Sequence, residues 1–139
     1  MSLLVDTSVW SLALRRDNPS QELPELGVLR EAVKGADIIV TTGLILQELL
    51  QGFVGPKARD LIIGRFETLP TLMPDLQDHI AAADLRNKCR RAGVQLGTID
   101  ALIAQLCIRY DMILLTTDND FHHAAKHIAL SVWSNHGQA

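Results

Sequence analysis

Short apolar runs alternate along the chain with longer stretches in which apolar residues return every third or fourth position, and this alternation predicts the elements. Leu3-Leu4-Val5 reads as a short buried strand. Asp6-Thr7-Ser8 offers capping side chains to a helix through Val9, Trp10, Leu12, Ala13 and Leu14, which ends near Arg15-Arg16 and Asn18-Pro19. A second helix is predicted over residues 22–34, stopped at Gly35. Asp37-Ile38-Ile39-Val40 follows as a strand, and Thr41-Thr42 caps a helix over 44–50 that ends at Gly52. After Gly55-Pro56, with proline in its favoured first-turn position, another helix runs until it fades over 64–67, and Thr71-Leu72-Met73 forms a brief strand.

Residues 75–92 carry Leu76, Ile80, Ala83, Leu85 and Cys89 at helical spacing, with Gly93 as the stop. Gly97-Thr98 opens a helix to Tyr110 that is apolar around nearly its whole circumference, so it is expected to be buried. Residues 112–115 form a strand rising into Thr116-Thr117-Asp118-Asn119-Asp120, and a last strand over 128–132 follows a short helix. Strands alternating with helices predict an α/β three-layer sandwich with a mainly parallel central sheet. No repeat or linker divides the chain, so one domain over 1–139 is expected.

Composition narrows the class. The 139 residues are 47% hydrophobic, which excludes a disordered chain, and no apolar run approaches the ~18 residues of a membrane span. The first ten residues lack a basic segment and meet an acid at Asp6, so they do not read as a signal peptide and a cytoplasmic location is expected. Cys89 and Cys107 are too few for a disulfide framework and are expected reduced on helix faces.

The candidate chemistry lies in four acids. Ligand sites of open α/β sheets sit beyond the carboxyl ends of strands, where Asp6 and Asp118 fall. Glu48 and Asp100 interrupt otherwise apolar helical stretches, where an ionised carboxylate is costly unless paired or bound to a metal. Each acid also has a plain structural role open to it: Asp6 as a helix N-cap, Asp100 as a first-turn acid, Asp118 as a turn residue, Glu48 as a solvent-facing residue. Gathered together, they are a different matter. Two carboxylates about 5 Å apart repel by roughly 3 kcal/mol at an effective dielectric near 20, so the set requires a counter-charge. Oxygen-only ligation suits Mg²⁺, with Mn²⁺ as the alternative, and a hydrated ion of this kind can activate water for attack on a phosphodiester.

At Val5-Asp6-Thr7-Ser8-Val9-Trp10, Gln47-Glu48-Leu49-Leu50-Gln51-Gly52, Asp100-Ala101-Leu102-Ile103-Ala104 and Thr116-Thr117-Asp118-Asn119-Asp120-Phe121, in that order, the chain resembles the PIN-domain family, and within it the VapC-type toxins of bacterial toxin–antitoxin modules. The resemblance implies a Mg²⁺- or Mn²⁺-dependent endoribonuclease that hydrolyses RNA with metal-activated water, transfer RNA being one candidate substrate. It also implies a homodimer and a VapB-type antitoxin that binds near the acidic site. Asp6, Glu48 and Asp100 match the family's first three acids; Asp118 is taken as the fourth, with Asp120 as runner-up. Ser8 and Thr98 match polar supporting positions that orient carboxylates. Asp6 and Asp100 are the expected principal metal ligands, with Glu48 and Asp118 binding directly or through water.

A net charge of −3 runs against the basic surface that RNA binding calls for, yet without the four proposed ligands 12 acids face 13 basic residues. Nine of those cations are arginine, and Arg86, Lys88, Arg90 and Arg91 cluster, either as phosphate contacts or as favourable charges at a helix C-terminus. Trp10 is expected in the core. Residues 44–53 read equally as core, dimer interface or antitoxin groove. His79, His122, His123 and His127 are read as surface histidines, although His123 and His127 have i, i+4 spacing that zinc could use. Two other classes remain: a non-catalytic RNA- or protein-binding module, and another Mg²⁺-dependent phosphotransfer domain. The latter predicts an early acidic pair and a lysine after a late strand, and this chain has neither.

Overall fold

Five strands, all parallel, lie side by side in the order β3-β2-β1-β4-β5, where β1 is Ser2–Val5, β2 Ile38–Thr42, β3 Thr71–Leu72, β4 Ile113–Leu115 and β5 Ser131–Val132. The computed structural model describes residues 1–15 and 23–135, so the predicted end of the first helix near Arg16 and Asn18-Pro19 and the predicted helix start at Glu22 lie outside the described residues. β1 occupies the middle of the sheet, with Leu3 opposite Ile39 on one side and Ile113 on the other. Its Leu3, Leu4 and Val5 are fully buried, as a central strand covered on both faces requires.

Seven α-helices connect the strands among the described residues: α1 Thr7–Leu14, α2 Pro24–Glu31, α3 Gly43–Gly52, α4 Pro56–Phe66, α5 Leu76–Arg91, α6 Thr98–Arg109 and α7 Asn119–Ala124. The chain steps outward from β1 through β2 to β3, then returns across the sheet to β4 and continues to β5. With right-handed crossovers, the first traverse puts α1 to α4 on one face and the second puts α5 to α7 on the other. The result is the expected three-layer sandwich. Trp10 is in the core as predicted, its ring 5.2 Å from that of Phe66.

Several boundaries differ from the sequence expectation for local reasons. The second helix leaves α geometry after Glu31 through a wider turn over Ala32–Ala36, in which Gly35 takes a φ of 100° that glycine adopts without a Cβ clash. β2 extends through Thr41 and Thr42 because Thr41 still receives a partner, Pro70 O, at 3.0 Å; Thr42 then caps α3 by accepting from Ile45 N. The predicted strand over 128–132 is a strand only at Ser131–Val132, since Ile128 N still bonds back to Ala124 O.

Two helix ends place the second layer. After α5, Gly93 N bonds to Arg90 O and Val94 N to Cys89 O, with Gly93 at φ 84°. After α6 the same pair of bonds recurs, Asp111 N to Ile108 O and Met112 N to Cys107 O, with Asp111 at φ 53°. Both are Schellman closures with a left-handed residue just beyond the cap. The second turns the chain directly into β4, and therefore sets where the segment after β4 emerges.

Candidate active site

Because the chain leaves β1 toward β2 but leaves β4 toward β5, the connections diverge between β1 and β4, and this topological switch point opens a crevice at the carboxyl ends of the strands. Asp6 and Thr116 are the residues that immediately follow those two strands. Asp6 N donates to Leu115 O at 2.9 Å, which carries the ladder one residue past β1 and brings the Asp6 carboxylate beside the turn after β4.

Asp6 occupies the N-cap position of α1, but its side chain makes no cap bond; the carboxylate turns across to β4 instead. Its Oδ2 accepts from Ser8 Oγ at 2.8 Å and from Thr116 Oγ1 at 2.9 Å, while only 6% of the residue is exposed. Each hydroxyl has a single proton to donate and gives it to Asp6. The 3.3 Å approach of Ser8 Oγ to Thr116 Oγ1 is thus a contact of two acceptors, not a third bond. Both oxygens in turn accept backbone N–H groups, Ser8 Oγ from Thr117 at 3.1 Å and Thr116 Oγ1 from Asp118 at 3.0 Å. Two short relays therefore run from the backbone after β4 to one oxygen of Asp6.

Three further acids surround this pair of strand ends. Glu48, half-buried in α3, accepts from Thr7 Oγ1 at 2.9 Å, which ties α3 to the first turn of α1. Asp118 caps α7, its Oδ1 accepting from Asp120 N at 2.9 Å, so its plain structural role is also real. Asp100 sits in the first turn of α6, and a Cβ built on Gly97 would lie 3.9 Å from its Oδ2. Burial first, then the charges of Asp6, Asp118, Glu48 and Asp120 in that order, push Asp100 up to about 6. The ion pairs among the described residues reach none of Asp6, Glu48, Asp100 and Asp118.

Such a set of carboxylates fits a hard divalent cation in its chemistry, all-oxygen and without an ion-paired counter-charge among the described residues. Among the described residues, no three or more carboxylate, thiol or imidazole groups stand close enough together to hold a metal ion.

The PIN domain family model matches residues 3–127. The chain belongs to the PIN-domain family. No curated protein matches this PIN domain. Solved structures do. VapBC2 of Rickettsia felis, bound to a DNA fragment of its promoter, is 19% identical with a TM-score of 0.72, covering 96% of this chain and 100% of that one. VapBC-1 of nontypeable Haemophilus influenzae is 20% identical with a TM-score of 0.71 over 96% and 98%. VapC20 of Mycobacterium tuberculosis, a sarcin-ricin loop cleaving toxin, is 16% identical with a TM-score of 0.67 over 92% and 98%. At these identities the likeness concerns the fold.

The remaining predicted residues of this PIN domain fall at different distances from the acids. Ser8 contacts Asp6 directly, and Asp120 is exposed in the first turn of α7. Thr98 is exposed as the first residue of α6 and bonds to none of the acids among the described residues. Thr7 and Thr116 were not expected as supporting residues; as hydroxyls beside helix starts they read as ordinary local caps. Cys89 and Cys107 are free and buried, burial pushing both thiols up. A concavity of about 460 Å³ lies away from the acids. It runs between α1, α2 and α4 over Trp10, Leu29, Ile62 and Phe66, and is rimmed by Arg15, Arg30, Lys34 and Arg65.

Proposed function

We propose that this PIN domain is a divalent-metal-dependent endoribonuclease and the toxin of a toxin–antitoxin pair. The observation that carries the reading is the electrostatic coupling of Asp100 to Asp6, Asp118 and Glu48, acids that have no ion pair among the described residues. Family membership supports a nuclease, and the similarity to VapC-containing structures supports the toxin role and a VapB-type antitoxin as partner. Asp6 and Asp100 would hold Mg²⁺ or Mn²⁺, with Glu48 and Asp118 completing the set directly or through water. When bound, the ion supplies water activation and charge neutralisation at the scissile phosphodiester.

The chain's own residues account for the rest. Ser8 and Thr116 occupy Oδ2 of Asp6 and so orient its other oxygen outward, a role akin to the outer partners that orient metal-binding carboxylates. Thr7 restrains Glu48 in the same way. Asp100, pushed up to about 6, is ionised at neutral pH but holds its proton below that. Asp118, by capping α7, takes its position from the turn that Thr116 and Ser8 anchor. The apolar groove between α1, α2 and α4 would suit an apolar segment of the antitoxin, in addition to the contact near the acids that the resemblance implies. No helix among the described residues is long and apolar enough to cross a membrane. A cytoplasmic site of action and a homodimer accord with this reading.

The test is cleavage of total and transfer RNA by partner-free protein with Mg²⁺, Mn²⁺ or chelator. Discrete, metal-dependent fragments are expected. A protein that binds RNA but cuts none of it with either metal is a non-catalytic module.

A further inference from the structure

Another concavity, about 200 Å³, is lined by Arg86, Arg90, Val94, Gln95 and Leu96, with no acidic side chain among them. Arg86 and Arg90 are one helical turn apart on α5, so their side chains project from the same face. Arg86 is partly buried, and its Nε donates to Leu96 O at 2.8 Å. That bond fixes the plane of the guanidinium while using one of its five donors. The same bond pins the loop that closes α5 at Gly93 and delivers Gly97 against Asp100. Leu96, which lines the concavity, is the chain neighbour of Gly97, whose Cβ position lies 3.9 Å from Asp100 Oδ2, so the concavity sits on the loop that leads from α5 to the helix carrying Asp100. The ion pairs among the described residues include neither arginine. Lys88 and Arg91 belong to the same run of charge but do not line the concavity.

We propose that Arg86 and Arg90, with Gln95 beside them, form a subsite for a backbone phosphate of the RNA, a nucleotide or two from the scissile bond. A planar, oriented guanidinium suits bidentate contact with a phosphodiester, and a second one at helical spacing adds charge without needing a fixed geometry. The inference rests on the nuclease reading only for the position of the phosphate relative to cleavage; the anion subsite itself rests on α5 and the loop after it.

Binding of a short single-stranded RNA of mixed sequence to the full chain, in chelator and across a salt series, tests it. Arg90→Gln should weaken binding about fivefold and reduce the magnitude of the log–log salt slope by about 0.7, the amount expected for one phosphate contact on a single strand. Arg86→Gln should do at least as much, and Arg86→Lys, which keeps the charge but loses the fork, should fall between wild type and Arg86→Gln. Lys88→Gln and Arg91→Gln should change affinity less than about twofold. Thermal unfolding separates loss of contact from loss of fold, and Arg90, exposed, carries the test if Arg86 variants are destabilised. Wild-type affinity and slope in Arg90→Gln, or equal weakening by all four glutamine substitutions, would overturn the subsite. If metal-dependent cleavage fails while Arg90→Gln still weakens binding, the nuclease reading is lost and the subsite stands.

Discussion

Asp100 feels every other acid of the crevice, and its protonation makes that coupling measurable. Its folded value near 6 lies above the ordinary 3.8, so between those pH values the folded chain holds a proton that the unfolded chain has released. The stability it contributes is therefore full below about pH 4 and is lost as pH rises toward 6. In a dry site the shift would amount to about 3 kcal/mol; solvent access reduces that to about 1–2 kcal/mol. Asp100→Asn should accordingly raise the melting temperature of metal-free protein at pH 7.5, and the gain should vanish near pH 4. A second residue prediction concerns Thr116. Thr116→Val keeps the shape but strands a lone pair of buried Asp6 and the N–H of Asp118, and should cost about 1–3 kcal/mol in chemical denaturation. Thr116→Ser should restore most of it. At this scale the acids were legible in sequence because a carboxylate after an apolar strand, or inside an apolar helix, breaks the pattern. The hydroxyls Thr7 and Thr116 were not, because a threonine that caps locally and one that reaches across the sheet look the same until β1 and β4 are paired.

Between elements, α5 and α6 depend on a buried charge. Asp78 is 1% exposed; it accepts from Arg109 Nη1 at 2.6 Å and from Asp75 N at 2.9 Å, the latter within a capping box. Burial alone would push Asp78 up, but the Asp75 N–H, Gln105 and Arg109 together outweigh it and hold the carboxyl below its usual range. Its contribution is present above about pH 4 and lost as pH falls through the lowered value, opposite in sign to that of Asp100. Arg109→Met leaves the carboxylate buried without its cation and should lower the melting temperature at neutral pH, the loss shrinking as pH falls through the lowered Asp78 value. Asp111, left-handed at φ 53° where α5 has Gly93, invites the reverse change. Asp111→Gly should stabilise the chain by roughly 0.5 kcal/mol, relief of the backbone strain being offset in part by a freer unfolded chain. The elements themselves were legible wherever periodicity was long, as in α5 and α6. The last strand was over-read because Ile128 to Leu130 are apolar enough for a strand, yet Ile128 N is still bonded to the preceding helical turn.

For the whole molecule, the strand order decides what the separate acids can become. Sequence order predicts parallel strands but does not say which pair; only with β1 between β2 and β4 do Asp6 and Thr116 adjoin, and Asp100 on α6 then feels the charges of Asp6 and of Glu48 on α3. The central claim is that this crevice binds a divalent ion through those carboxylates. Calorimetric titration of Mn²⁺ into wild-type protein, Asp100→Asn and the surface control Asp84→Asn tests it most directly. The account predicts binding by wild type and by Asp84→Asn, with affinity lowered at least tenfold in a still folded Asp100→Asn. Equal binding by all three proteins, or none by the wild type, would contradict it.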